Sequence, residues 1–301
     1  MKNYKSIYLL VIAFFLVMSA CKELDQPIVL NPSQEALVDT IYISTTTIAP
    51  SPKNVLMEEF SGVKCPNCPI GNAKTKLIHS ENPTRVNLVT VHSKALASPF
   101  SGDQDLRCAD ADELVSVLGP LGAKPSTFIN RSKLQDPTKI VISGDPAGLA
   151  QWQPFVETEL NKIVPIKMTL DIKYIDVEDR KFRYGITLAF SEAMENINLG
   201  FLLTESGMET DQLDGIVHLE EYEHEYVLRD FITSILGEGL TEEIVANTVV
   251  VKEFEIDLDD FEAQSDGRYT NPVDWKIYNM DLVAFIRGSN DEIIQSTSIE
   301  L

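Results

Sequence analysis

The spacing of apolar residues changes character along this 301-residue chain. Between Asn54 and Val164, short apolar runs alternate with segments of helical period. Val55-Leu56-Met57 and Val86–Val91 read as strands, and between them Ile70, Ala73, Leu77 and Ile78 recur at helical spacing over residues 66–80. A second helix is expected over residues 105–118, from Leu106, Leu114, Val117 and Leu118. Short strands are expected at Ser126–Asn130 and Lys139–Ser143. Gly144-Asp145-Pro146 then opens another helix, with Asp as N-cap and Pro at the first helical position. Its stripe is Leu149, Trp152, Phe155, Val156, Leu160 and Ile163. This order reads as an α/β layer structure. From Pro165 the period falls to two. Ile166, Met168, Leu170, Ile172 and Tyr174 alternate with polar residues, and so do Phe182, Tyr184, Ile186, Leu188 and Phe190. Further strands are expected at 197–204, 248–256, 279–287 and 292–299, with a helical interruption at Val227–Leu236. Spaced strands with one apolar face argue for a β-sandwich, so a domain boundary is placed near residue 165.

The N-terminus follows neither pattern. Lys2 and Lys5 precede an unbroken apolar run, Ile7–Val17, and then the small residues Ser19 and Ala20. The run is much shorter than the about 20 residues a spanning helix needs, and the layout is that of a secretory signal peptide. Met18-Ser19-Ala20-Cys21 resembles a bacterial lipoprotein signal, which implies cleavage before Cys21 and lipidation of Cys21. Lys22-Glu23-Leu24-Asp25 is somewhat similar to the acidic export tags of surface lipoproteins in Bacteroidetes. Residues 22 to about 50 are rich in Pro, Ser, Thr, Gln and Asn, with one apolar patch at Ile41-Tyr42-Ile43. They read as a tether with one short strand. The expected organisation is a signal peptide (1–20), a lipidated Cys with its tether (21–53), an α/β domain (54–164) and a β-sandwich domain (165–301).

Charge narrows the partners. The chain carries 25 Lys+Arg against 46 Asp+Glu, a formal net charge of −21. Such a field repels phosphate, so no nucleic-acid partner is expected, and the membrane is met through the N-terminal lipid alone. The implied compartment is the oxidising cell envelope, at the outer membrane, where a disulfide persists.

The motif that carries chemistry is Cys65-Pro66-Asn67-Cys68, between an expected strand and an expected helix. A Cys at a helix N-terminus sits at the positive end of the macrodipole, which favours the thiolate. A partner three residues on is near enough for a disulfide. That bond closes so short a loop that redox cycling is a more natural use for it than stability.

Here the chain resembles the thioredoxin-like superfamily. Glu59-Phe60-Ser61-Gly62-Val63-Lys64-Cys65 matches the family's approach to its site. The resemblance implies that Cys65 attacks, that Cys68 resolves, that Glu59 is the buried acid accepting the proton of Cys68, and that Pro125 in Ala123-Lys124-Pro125-Ser126 is the cis-proline facing the disulfide. Lys64 stands where the family has Trp, Ser126 intervenes between Pro125 and Thr127, and about 30 residues near 92–123 replace a shorter connection. More narrowly, residues 54–301 resemble the Omp28-related outer-membrane lipoproteins of Bacteroidetes. The matching segments are Val55–Gly62, Cys65–Pro69, Asn130-Arg131 and Glu223–Arg229. That family's name records a location and a surface role in adhesion or reception rather than a reaction.

Other constellations point less clearly to chemistry. Zinc at Cys65 and Cys68 would need Cys108 with His79 or His92, a spacing that fits no zinc finger. Cys108 reads as a helical, buried thiol or as a second-site partner for Cys65. His218 and His224 form no chelate on a strand or a helix, whereas His92, at the end of strand 86–91, could tune a thiol. Asp257–Glu262 with Asp266-Gly267 misses calcium-loop spacing. No phosphate-binding or dinucleotide fingerprint appears, and no cofactor is expected. Two functions remain open. One is a thiol–disulfide oxidoreductase acting on protein thiols or disulfides of the envelope. The other is an adhesin- or receptor-type binding lipoprotein with a non-catalytic Cys pair.

Overall fold

The computed structural model describes residues 36–241, 243–263 and 275–301, so the signal region, Cys21 and the tether up to residue 35 lie outside the described residues. Residues 37–301 form one compact unit, mostly β. The chain begins with β1 (Asp39–Ile43) and β2 (Ser51–Pro52), then enters β3 (Val55–Ser61), α1 (Cys68–Glu81), β4 (Val86–His92), α2 (Ala109–Leu118), β5 (Ser126–Ile129), β6 (Val141–Ser143) and α3 (Pro146–Leu160). Strand β7 (Ile163–Val164) leads to the long antiparallel pair β8 (Ile166–Asp176) and β9 (Lys181–Phe190). Next come β10 (Asn198–Glu205), the hairpin β11 (Met208–Asp214) and β12 (Val217–His224), β13 (Val227–Phe231), β14 (Glu238–Gly239) and β15 (Thr248–Asp257). The short helix α4 (Leu258–Ala263), β16 (Met280–Arg287) and β17 (Ile293–Glu300) complete the described residues.

A nine-stranded mixed sheet, ordered β17-β16-β10-β13-β4-β3-β5-β6 with β14 beside β10, is the spine of the unit. Strands β3 and β4 are parallel, while β5 and β6 run antiparallel to their neighbours. The expected boundary near residue 165 falls between β7 and β8, and the sheet continues across it through the parallel contact of β13 with β4 at Val227 and Thr90. A four-stranded antiparallel sheet, β1-β15-β9-β8, packs against part of this spine. Phe182, Tyr184, Ile186 and Leu188 of β9 share one core with Phe201 of β10 and with Leu282 and Ile286 of β16.

All seven residues of β3 are buried. Alternation sends Val55 and Met57 to one face, where α1 and α3 cover them with Ile78, Trp152 and Val156. Leu56 and Phe60 go to the other face, against Ala111 and Leu114 of α2 and against Phe285 of β16. Leu56 shares its face with Glu58, which therefore has to be neutralised inside the protein. Arg131 does so with two bonds, Nε to Oε2 at 3.0 Å and Nη2 to Oε1 at 2.8 Å. The guanidinium also donates to the Ile235 carbonyl at 3.1 Å and lies 5.2 Å from the Phe285 ring centroid.

Two local expectations are corrected. Val227–Leu236 is not helical: Val227–Phe231 is strand β13, lodged between β10 and β4, because Val227, Leu228 and Phe231 find buried partners only as a central strand. Residues 105–108 stay outside the helix, which starts at Ala109 with Cys108 as its N-cap; the Cys108 Sγ accepts from the Ala111 amide at 3.4 Å.

The doubly bonded pair leads to a stability prediction. Glu58→Ala should leave Arg131 buried without its counter-charge and cost about 3–5 kcal/mol in urea unfolding. A Glu58→Leu/Arg131→Met double variant should recover most of that loss.

Candidate functional site

Cys65 and Cys68 are joined as a disulfide with Cα atoms 5.4 Å apart. Local hydrogen bonds shape the turn that presents them: the Cys65 amide donates to the Gly62 carbonyl at 3.0 Å, and the Cys68 amide to the Cys65 carbonyl at 3.2 Å. Cys68 is the first residue of α1, Asn67 is the N-cap, and Pro69 fills an early helical position that needs no N–H donor. Cys65 is 1% exposed and Cys68 0%.

Glu59 lies on the α1 face of β3, opposite in direction to Glu58, and is wholly buried. Unlike its neighbour, it meets no cation in direct contact. Thr75 Oγ1 donates to its Oε2 at 3.3 Å. The Asn72 side chain, turned with its nitrogen inward, donates to Glu59 Oε1 at 2.8 Å and Oε2 at 3.0 Å, and to the Cys68 carbonyl at 3.2 Å. Burial therefore dominates and pushes the Glu59 carboxyl up to about 8, against the pull of Thr75, Lys76 and Lys124. Lys124 is largely buried too, which lowers its ammonium to about 8, although Asp112 and Glu59 favour the charge. Its Nζ donates to the Ser61 carbonyl at 2.6 Å and to that of Ser93, tying the ends of β3 and β4 to the segment before Pro125.

The Lys124–Pro125 peptide is cis. Gly71 brings α1 down onto this corner. A Cβ added there would stand 2.7 Å from both Glu59 Oε1 and Pro125 Cβ, so α1 reaches this depth only with no side chain at that position. Glu59, Pro125 and the first turns of α1 are thus brought together beside the disulfide.

Buried polar residues gather around the end of β4. His92 ends β4 opposite Ser61 and has no hydrogen-bond partner on either ring nitrogen; burial first, then nearby His224, Lys124 and Arg229, hold it neutral, well below the usual histidine range. His224, from β12, lies with its ring centroid 5.3 Å from that of His92. Burial brings it down to about 4. Tyr222 packs 4.8 Å from His224, and its hydroxyl stands 3.4 Å from the Asn72 amide. His218, considered with His224 in the sequence, instead sits near the surface and bonds Asp211 at 2.6 Å. The histidines that meet are His92 and His224.

The remaining candidates lie elsewhere. Cys108 caps α2, where burial and the neighbouring Asp230 push its thiol far up, away from thiolate chemistry. His79 is engaged with the Val86 carbonyl at 2.7 Å and packs on Tyr226. Among the described residues, no group of three or more His, Cys, Asp or Glu is placed to hold a metal ion. Asp257 pairs with Lys181 at 3.0 Å and Asp259 with Arg180 at 3.1 Å, while Asp266 and Gly267 lie outside the described residues.

The sequence reading did not single out Asn72, Lys124, Gln212 or Tyr222. Lys124 could have been noticed as the residue before Pro125, and Asn72 as the residue one helical turn after Cys68. Nothing local to Gln212 or Tyr222 foretells that their hairpin folds back over residues 62–66.

No protein-family model matches the chain, and no curated protein does. Among solved structures, HBP35 of Porphyromonas gingivalis is similar at 19% identity and TM-score 0.60, over 83% of this chain and 76% of that one. An Agrobacterium tumefaciens protein aligns at 10% identity and TM-score 0.46, over 84% and 96%. A domain of the outer membrane lipoprotein Omp28 from Porphyromonas gingivalis aligns at 12% identity and TM-score 0.28, over 46% of this chain and 90% of that domain. The first is a likeness of fold; the two lower scores fall below what a shared fold requires.

The upward shift of the Glu59 carboxyl sets a pH signature. Its folded value, about 8, lies above the ordinary 4.5, so both states are protonated below pH 4.5 and Glu59 then costs nothing. The penalty grows from pH 4.5 to 8, because the unfolded chain ionises there and the folded one does not, and it is constant above pH 8. Glu59→Gln removes the titration. In urea unfolding of the oxidised protein it should gain on wild type by about 3 kcal/mol between pH 4.5 and 7, at 1.36 kcal/mol per unit. A gap independent of pH would show that Glu59 titrates normally.

Proposed function

We propose that this chain is a lipid-anchored thiol–disulfide oxidoreductase of the cell envelope, with a thioredoxin-like site in residues 54–164 and a sandwich-like second half. One observation carries the reading: a bonded Cys pair at a helix start, beside a buried carboxyl that holds its proton at neutral pH. The strand order β4-β3-β5-β6, with α1 and α3 on one face and α2 on the other, supports the thioredoxin-like assignment. The Cys21 signal supports the anchor and the outer-membrane location.

In the oxidised protein, a partner thiolate attacks Cys65 Sγ, the Cys65–Cys68 bond breaks, and Glu59 gives its proton to the departing Cys68 sulfur. A mixed disulfide joins Cys65 to the partner. A second partner thiolate then attacks the partner sulfur of that mixed disulfide and releases Cys65 as a thiolate; the partner is left as a disulfide, and the protein as a Cys65 thiolate and Cys68 thiol, with Glu59 regaining its proton from water. Two electrons have moved, and the steps reverse when a partner disulfide meets the reduced pair. Burial of Glu59 is what makes it useful here. An ordinary carboxyl would be ionised at neutral pH and have no proton to give.

A second reading, an adhesin- or receptor-type binding protein with a static Cys pair, is favoured by the burial of both cysteines. Cys68→Ser separates the two. An oxidoreductase should accumulate high-mass adducts through Cys65 that collapse with reductant, and reduced Cys65 should alkylate far faster than Cys108. With no adducts and equal alkylation of the two, the binding reading takes its place. Glu59→Gln should slow exchange near neutral pH while Cys65 remains alkylatable.

Lipidation is tested separately. Cys21→Ala should leave the chain unprocessed, or free of membranes on fractionation; normal processing with full membrane retention would remove the anchor from the proposal.

A further inference from the structure

The strands β11 and β12 pair only with each other and join neither larger sheet. A two-stranded ribbon by itself is at best marginally stable, so what holds this one in place is its footing on the rest of the protein. Its two ends are buried, Met208 with Leu106 and Val227 and His224 against His92, and its far end is footed on the loop that carries the cysteines. The Leu213 amide donates to the Val63 carbonyl at 2.8 Å and the Gly215 amide to the Pro66 carbonyl at 2.8 Å. Gln212 Nε2 lies 3.2 Å from the Cys65 carbonyl and 3.4 Å from that of Gly62. Four carbonyls of the loop are thus engaged by Gln212 and Leu213 at the end of β11 and by Gly215 in the turn after it. A second footing comes from the segment after β4: Asp103 accepts from Thr210 Oγ1 at 3.0 Å and from the Asp211 amide at 3.2 Å.

We propose that the β11–β12 hairpin is a gate over the Cys65–Cys68 bond, latched by Gln212 and Asp103, and that a partner reaches Cys65 only when the hairpin lifts. The proposal deepens the oxidoreductase reading and rests on it for its purpose. Attack on a disulfide needs a sulfur in line with the bond, and access limits the rate as much as thiolate character does. With Cys65 1% exposed and Cys68 0%, there is no such line of approach in the closed state.

The hairpin is built to move as a unit. Gly207 at φ 69° precedes it and Tyr226 at φ 54° follows it, so left-handed backbone marks both points where the chain leaves and rejoins the main sheet. Beyond them, β10 and β13 are paired to one another and to other strands, and they stay fixed when the hairpin swings. Most of β12 faces solvent, and Ile216 at the tip is fully exposed. The latch is also imperfectly satisfied: Gln212 is buried, yet its Oε1 has no hydrogen-bond partner in the closed state. Opening lets water reach that oxygen, which offsets part of the cost of releasing the Nε2 contacts.

The test uses the full chain, reduced and freed of reductant. Maleimide labelling is followed at Cys65 and Cys108 by mass spectrometry, and disulfide exchange is followed with 5,5′-dithiobis(2-nitrobenzoate). Loss of the Gln212 contacts in Gln212→Ala should speed Cys65 labelling and exchange by about tenfold, and Gln212→Ala/Asp103→Ala should speed both further, with Cys108 unchanged. A measurement on the wild type needs no variant: Leu213 and Gly215 amides should exchange hydrogen much faster than those of β3, by local opening. Equal labelling in wild type and both variants, or Leu213 and Gly215 exchanging only with global unfolding, overturns the gate. If exchange with the aromatic disulfide then persists at one common rate, the oxidoreductase reading survives without it. If the variants label faster but none exchanges, the gate stands and the oxidoreductase reading falls.

Discussion

Two adjacent carboxylates on a strand with no exposed face are the constraint from which the rest of this protein follows. Strand β3 is buried from Val55 to Ser61, and its alternation throws Glu58 and Glu59 into opposite layers. Leaving either ionised and alone in an apolar layer would cost several kcal/mol. The protein meets the two cases differently. Glu58 receives a full counter-charge, Arg131, held in two bonds and braced by the Ile235 carbonyl and the Phe285 ring. Glu59 receives only neutral donors, Thr75 and Asn72, and so keeps its proton. The first solution spends both charges on holding layers together. The second leaves a group that can still exchange a proton next to a sulfur pair.

That division also explains why the two halves of the chain are merged rather than hung side by side. Arg131 bonds Glu58 on the early half and the Ile235 carbonyl on the late half, over a phenylalanine of β16. The face of β3 opposite α1 is covered by α2 and, from beyond residue 165, by Leu202, Leu228 and Val283. On the other face, β12 brings His224 against His92 and Tyr222 against Asn72 of α1. The early half therefore has neither a finished core nor a closed site without the late half.

What was legible in the sequence was whatever is periodic or local. The Cys-x-x-Cys turn, the helix after it, the Asp145 cap with Pro146 and the alternating strands β8 and β9 all follow from neighbours within a few residues. Parity pairs Glu59 with Met57 and Glu58 with Leu56, but only the packing of α1 decides which pair it covers. The misreadings have a common cause. Val227–Leu236 carries enough apolar residues for either a helix or a central strand, and only the gap between β10 and β4 decides. Acidic, weakly apolar β12 offers no strong period, because most of it faces solvent. His92 and His224 lie on strands far apart in sequence, so no spacing rule could pair them.

The last strand has a consequence for the order in which the molecule can assemble. Gln295 accepts from the amide of Asn54, Ser296 and Ser298 bond Asn87, and the amide of Ile293 donates to the carbonyl of Asn130. The first of these bonds links residues 241 positions apart. A chain that emerges N-terminus first thus presents the cysteine turn long before the strand that seals the base of β3 exists. Contacts of such span form late and slowly, whereas the ring closed by Cys65 and Cys68 needs only its own few residues. The disulfide can be made on a nascent, open chain, and the body of the protein then closes around a bond already in place.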